Sequence, residues 1–163
     1  RGQSRVPRRV GLHTPGKALP MTAVATTSKN GIEQRVRDAG LRPTRQRVAL
    51  ATLLFAKGDR HLSAEQLHEE AEAAGFPVSL ATVYNALHQF TEAGLLRILA
   101  VEGAKTYFDT NTSDHHHFFI EGENILMDIA EGPVTVLNLP EPPAGMEVAN
   151  VDIVVRLRPK RAD

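Results

Sequence analysis

Four short apolar stripes at helical spacing, followed by a strand, a turn and a second strand, constrain this chain more than any other feature. Ile32, Val36 and Ala39 step along one face and Gly40 supplies a stop, which predicts a short helix from Gly31. In "LRPTRQRVALATLLFAKG" Thr44 is the N-cap candidate, Val48, Ala51 and Phe55 form the stripe, and Gly58 ends it. "SAEQ" at 63–66 has the Ser-x-x-Gln form of a capping box, and Ala64, Leu67, Ala71 and Ala74 then make a narrow seam closed by Gly75. A fourth helix fits "SLATVYNALHQFTEAG", with Leu80, Val83, Leu87 and Phe90 as its core stripe. "LLRILAVEGAKTYFDTN" then reads as strand, Glu-Gly turn and strand, with β-branched and aromatic residues on the return arm.

The far side of the fourth helix is small and polar. At 100° per residue, Ala81, Asn85 and His88 line up away from the core stripe, with Thr82 and Gln89 beside them and Tyr84 on the flank. Such groups near a helix N-terminus suit the reading of base edges in a major groove, and they equally suit a plain solvent face. Short helices followed by a β-hairpin decide between the two, because that order is the layout of a winged helix-turn-helix domain. The window 31–47 agrees, with five arginines against two acids.

Charge divides the chain into three. Residues 1–30 carry six Lys or Arg and no acid, residues 31–108 carry nine of each sign, and residues 109–163 carry four basic against ten acidic residues. The first segment mixes Gly, Pro, Ser, Thr and Arg without periodicity and reads as a disordered basic arm. Met21 lies inside it, which marks residues 1–20 as a candidate upstream extension. Residues 31–110 form the expected winged-helix domain, and residues 111–163 a second, small α/β unit for dimerisation and effector binding. In that unit "FFIEG", "NILMDIA" and "VANVDIVVRLR" are strand-like, the last alternating Val151, Ile153, Val155 and Leu157 against Asp152, Val154 and Arg156, while Pro140, Pro142 and Pro143 hold any helix in "EGPVTVLNL" under three turns. The fold class expected is thus α+β. No apolar run approaches the ~20 residues that span a bilayer, and the Arg-rich start lacks the apolar core of a secretory signal, so a cytoplasmic location without membrane contact is expected.

The chain has no cysteine, which excludes disulfides, thiolate catalysis, Fe–S clusters and every Cys-based zinc site. Any metal must use His and carboxylate. "SDHHHFF", Ser113 to Phe119, supplies three consecutive histidines, and if it begins a strand, alternation sends His115 and His117 to one side and His116 to the other. One run can therefore serve two sites. A chance solvated His cluster in front of two core phenylalanines is the plainer alternative.

"GLRPTRQRVAL", "HLSAEQLHEEAEAAG", "SLATVYNALHQFTEAGLL" and "TYFDTNTSDHHHFF", in that order and spacing, resemble the ferric uptake regulator family of metal-sensing transcription factors. Within it, the Cys-free chain with its His triplet and its "LPEPPAG" to "VVRLRPK" ending is most similar to the iron-response regulators of the α-proteobacteria. The resemblance implies that Tyr84 contacts bases, that Thr82 approaches phosphate, that Arg42 enters the adjacent minor groove and that Arg47 contacts phosphate. Asn85 stands where arginine is common, and an asparagine pairs bidentately with adenine. The resemblance also implies a regulatory metal site at His61, Asp109 and His116, with Phe118 in its fourth position and His117 or water as a substitute. His115 matches a ligand of the family's second site, and His117 stands where an aspartate is usual.

The function so implied is an iron-responsive regulator, mainly a repressor, of iron and haem metabolism genes. It would bind a pseudo-palindromic operator in double-stranded DNA as a homodimer and would not be an enzyme. Haem is the effector implied by the subgroup, held at His115, His116 or His117, with Fe²⁺, Mn²⁺ or Zn²⁺ as alternatives. Two other readings stand beside it: a peroxide- or metal-sensing repressor of the same family, and a His-rich metal-binding protein of another class, which leaves Tyr84, the hairpin and the basic window unexplained.

Overall fold

Among the described residues, each of the four helices begins at a hydroxyl. In the computed structural model, which describes residues 28–99, 101, 105–130 and 134–160, the side chains of Ser28, Thr44, Ser63 and Ser79 accept the backbone N–H of Gly31, Arg47, Gln66 and Thr82 in turn. They open α1 (Lys29–Asp38), α2 (Arg45–Phe55), α3 (Ala64–Ala73) and α4 (Leu80–Glu92). Each bond satisfies an amide that a helix start otherwise leaves unpaired. At Ser63 the box is complete, since Gln66 accepts the Ser63 N–H in return. α1 thus starts two residues before the Gly31 expected from the apolar stripe, because its first turn is set by the cap and carries no buried residue. Gly94, in the left-handed region at φ +74°, ends α4 and lets the Leu95 N–H reach back to the Phe90 carbonyl at 2.8 Å.

The helices enclose one core built from Ile32, Val36, Leu50, Leu54, Leu67, Val83, Leu87 and Phe90. Leu80 departs from its expected stripe and is exposed, while Ala86 takes a buried place, and Ala74 is likewise outside. The core is floored by an antiparallel sheet in the order β1 (His61–Ser63), β3 (Tyr107–Asp109), β2 (Arg97–Leu99), from which Leu62 and Phe108 point inward. The Glu-Gly turn between β2 and β3 and most of the basic arm lie outside the described residues.

A second sheet has the order β5 (Ile125–Asp128), β4 (His117–Ile120), β6 (Val154–Leu157), with β4 antiparallel to β5 and parallel to β6. β6 is shorter than the strand expected across "VANVDIVVRLR", because its pairing ends where the four residues of β4 end. Its inward residue is Val154, and Val155 and Leu157 are exposed, the reverse of the expected alternation. Among residues 134–142 the chain forms no helix. The two sheets meet along an apolar seam in which Leu99 and Tyr107 of the first, with Val101 just past β2, cluster with Phe119 and Leu126 of the second.

Candidate metal centre and nucleic-acid interface

Two cross-strand pairs frame the point where the sheets meet. Pairing of β1 with β3 sets His61 directly opposite Asp109, and pairing of β4 with β5 sets His117 directly opposite Asp128. His115 lies two residues before His117 and shares its side of the extended chain. One ligand atom from each of these five residues lies within 4.8 Å of the other four. Asp109 Oδ2 stands 3.0 Å from His115 Nε2, 3.3 Å from His117 Nε2 and 3.6 Å from His61 Nε2. Asp128 Oδ1 stands 2.8, 3.1 and 3.5 Å from the same atoms of His61, His115 and His117.

Groups behind the ligands aim them. The Nδ1–H of His115 donates to the Ser113 carbonyl at 2.7 Å, which leaves the Nε2 lone pair facing the cluster. Asp109 Oδ1 accepts the Asn111 N–H at 2.8 Å, which leaves Oδ2 free for the three imidazoles. The Nε2 atoms of His61 and His115 are buried and make no hydrogen bond of good geometry, although carboxylates lie close by.

This donor set fits a small divalent ion. Ligand bonds of ~2.0–2.2 Å to a common centre hold ligand atoms roughly 3–4 Å apart, and here the carboxylate–imidazole separations run from 2.8 to 3.6 Å within a group no wider than 4.8 Å. Two carboxylates balance a 2+ charge, and imidazole with carboxylate suits zinc, iron or manganese. Electrostatics agree with ligation. Burial pushes the His61 imidazole down, but Asp109 and Asp128 outweigh it and hold it above its usual value. Burial also pushes the Asp109 carboxyl up, yet His61 and the Asn111 amide overcome this and hold it below the carboxylate range. His117, 1% exposed, is held below its usual value by burial and by the neighbouring His115 and His61, against the pull of Asp109. It is a neutral donor at neutral pH.

The clustered residues differ from the ligand set that the resemblance implies. His61 and Asp109 come together with His117, named above as a substitute ligand, whereas His116 lies outside the cluster and Phe118 alternates to its side of β4. The pair that alternation allows on one side is His115 and His117, and the register of β4 against β5 aligns the second of these with Asp128. His116 is instead half-buried, its Nδ1 without a hydrogen-bond partner, and its carbonyl accepts the Ile129 N–H. Asp128 escaped the sequence reading although a signal existed. His117 and Asp128 are equidistant from the turn at 121–124, so a symmetric hairpin about "EGEN" pairs them.

The polar side of α4 is exposed at Ala81, Asn85 and His88. Arg47, on α2, is drawn to it: its Nε and Nη2 donate to Gln89 Oε1 at 3.0 and 2.7 Å, and its Nη1 donates to the Arg42 carbonyl at 2.9 Å. Thr82 lies in the first turn of α4, its hydroxyl 2.8 Å from that of Ser79. Tyr84 is half-buried against the core, stacks with His88 and donates its hydroxyl to Glu65 Oε1 at 2.8 Å. Arg42, Arg47 and Gln89 are thus joined in one network, while Thr82, Tyr84 and Asn85 share the first half of α4.

The sequence model of the ferric uptake regulator family matches residues 38–142. The chain is 36% identical over 87 residues to a ferric uptake regulation protein of Vibrio anguillarum, a match that covers 53% of this chain and 58% of the relative, so it spans little more than half the length of the curated relatives it resembles. Among solved structures it is similar to the ferric uptake regulator of Pseudomonas aeruginosa with manganese, at a TM-score of 0.61 and 26% identity, over 79% of this chain and 98% of that one. The ferric uptake regulator of Vibrio cholerae shares the fold, at a TM-score of 0.61 and 23% identity over 77% and 98% of the two chains.

Proposed function

The chain belongs to the ferric uptake regulator family, and from that premise we propose that it is a metal-responsive transcriptional regulator that binds double-stranded DNA through α4 and is controlled by a divalent ion at His61, Asp109, His115, His117 and Asp128. One observation carries the reading: four of the five donors come from the two sheets and His115 from the segment leading into β4, so an ion held there ties the helical domain that presents α4 to the second unit. His61 and Asp109 lie on the helical side, and His117 and Asp128 on the other.

On the DNA side, Tyr84 and Asn85 read bases, Thr82 and Arg47 approach phosphate, and Arg42 reaches the neighbouring minor groove. The exposed polar face of α4, with an arginine already oriented beside it, supports these roles. A pseudo-palindromic site requires two copies of the chain. Exposed Leu137, Met146 and Val148, which are 71%, 70% and 50% accessible, support an apolar contact between copies through the second unit.

The effector is best read as Fe²⁺, Mn²⁺ or Zn²⁺. When bound, the ion supplies a fixed positive centre, and this chain's residues supply its orientation and its shelter from water. A porphyrin fits this cluster poorly, since three Nε2 atoms converging within one ion's reach leave no plane for a macrocycle. The finer assignment, an iron-response regulator that answers haem, draws its support from His116, which stands outside the cluster with an unpartnered buried nitrogen. The deciding experiment is to select from a random-sequence duplex DNA library with purified protein in chelator, in Mn²⁺ and in haem. Mn²⁺-dependent recovery of a two-fold symmetric sequence is expected. Failure to enrich any sequence under all three conditions refutes the reading, and enrichment altered by haem alone, through His116, transfers it to the haem-responsive subgroup.

A further inference from the structure

Tyr84 is a tyrosine on the outward half of a helix, yet it is held at three points. Its ring packs at the edge of the helical core, it stacks with the His88 ring one turn on at a centroid distance of 6.4 Å and an interplanar angle of 23°, and its hydroxyl donates to Glu65 Oε1 at 2.8 Å. The third contact is the unusual one. It joins residues nineteen positions apart, from the first turn of α3 to the first half of the proposed recognition helix. We propose that Glu65 is a positioning residue for DNA reading: its carboxylate fixes the Tyr84 phenol in one orientation, so that the ring meets bases without first losing rotational freedom. This rests on the base-reading role proposed above for Tyr84.

Two features make Glu65 suitable as a fixed tether, and one counts against it. The Ser63–Gln66 capping box sets the backbone on either side of it, so the carboxylate leaves a defined helix start rather than a loop. The Tyr84 hydroxyl, then the amide at the head of α3, hold the Glu65 carboxyl below the usual range, while Glu65 raises the Tyr84 phenol. Acceptor and donor are therefore charged and neutral respectively at neutral pH, the stronger form of such a bond. Finally, a carboxylate beside a phosphate-binding surface works against affinity through repulsion, so a gain in orientation must offset that cost for the arrangement to favour reading. The same stretch carries His61 four residues earlier on β1, so a metal ligand and the tether sit on one rigid strand–helix junction.

Repulsion and positioning predict different outcomes, which permits a test. The probe is the duplex oligonucleotide recovered by the Mn²⁺-loaded wild-type protein from a random library, measured against a scrambled duplex, and the readout is the ratio of the two affinities. Loss of a pre-set rotamer lowers that ratio about 3- to 10-fold in Glu65→Ala. Glu65→Gln, which keeps an acceptor and loses the charge, retains most of the ratio while binding both duplexes more tightly. Tyr84→Phe matches Glu65→Ala, and the double variant is no worse than either. The proposal is overturned if Glu65→Ala raises affinity for both duplexes with the ratio intact while Tyr84→Ala lowers it, for then Glu65 is only a repelling charge. It is overturned equally if Glu65→Ala costs as much in the Tyr84→Phe background as in the wild type. If Tyr84→Ala leaves the ratio unchanged, the base-reading role itself fails and the proposal falls with it.

Discussion

Replacing His117 with alanine removes an almost fully buried imidazole whose Nε2 lies 3.3 Å from Asp109 Oδ2 and 3.5 Å from Asp128 Oδ1. Loss of a group that merely orients a ligand costs about 10- to 100-fold in metal affinity, and loss of a ligand costs at least the upper figure. An ion that binds only the folded chain stabilises it by about 2.7 kcal/mol at one hundred times its dissociation constant. Weakening the site about 100-fold at that same ion concentration leaves roughly 0.4 kcal/mol. For a chain of this size each kcal/mol moves the melting temperature by about 2–4 °C, so the ion-induced rise should shrink from roughly 5–11 °C to about 1–2 °C. The assay is thermal unfolding of wild type and variant, each in chelator and in Mn²⁺ or Zn²⁺, and the quantity compared is the difference between the two conditions, which cancels any loss of packing in the variant. His116→Ala is the control, because that residue stands outside the cluster, and it should keep the full rise. An undiminished rise in His117→Ala, or one abolished in His116→Ala, would refute the assignment of ligands.

Two further outcomes follow from the same geometry. In the ion-free protein the raised pKa of His61 contributes stability that is complete below its unfolded value and is lost as pH rises through the folded one, whereas the depressed pKa values of His117 and Asp109 contribute stability present above their unfolded values and lost as pH falls through the folded ones. His61 should therefore titrate above about 6.5 and His117 below it by nuclear magnetic resonance, and because ion binding must expel the His61 proton, metal affinity should begin to fall at a higher pH than an ordinary imidazole would give. Arg47→Ala should weaken binding evenly to all duplexes and reduce the salt slope by about one unit, read by titration at several salt concentrations, whereas a selective loss at one sequence would mean that Arg47 reads bases.

How far this molecule can be read from its sequence varies with the length scale of the interaction. Thr44 and Ser63 announce their helices because a cap acts over three residues, and the alternation of "HHH" separates His116 from its neighbours because extended chain repeats every two. What alternation leaves open is which of the two sides meets His61, since that depends on how one sheet sits on another. Resemblance named His116, whose neighbours His115 and His117 share the other side of the extended segment, where one residue reverses the side. Asp128 needs the pairing of a hairpin to be known before it becomes a ligand. The tether between Glu65 and Tyr84 joins two helices at an angle that no periodicity encodes.

Arg97, on β2, donates to the Ser113 carbonyl at 2.8 Å and pairs with Asp152 just ahead of β6. Among the described residues the two halves are therefore joined by the apolar seam, by polar contacts such as those of Arg97 and of the Tyr107 hydroxyl with the Asn124 carbonyl, and, in the reading proposed above, by the ion. A chelator dissolves the ion, concentrated salt loosens the arginine, and neither disturbs the apolar seam of Leu99, Val101 and Tyr107 on Phe119 and Leu126. Loss of the ion accordingly does not set the halves adrift. The seam and the arginine contacts would remain between the halves, so chelation is expected to alter how the halves are held rather than to part them.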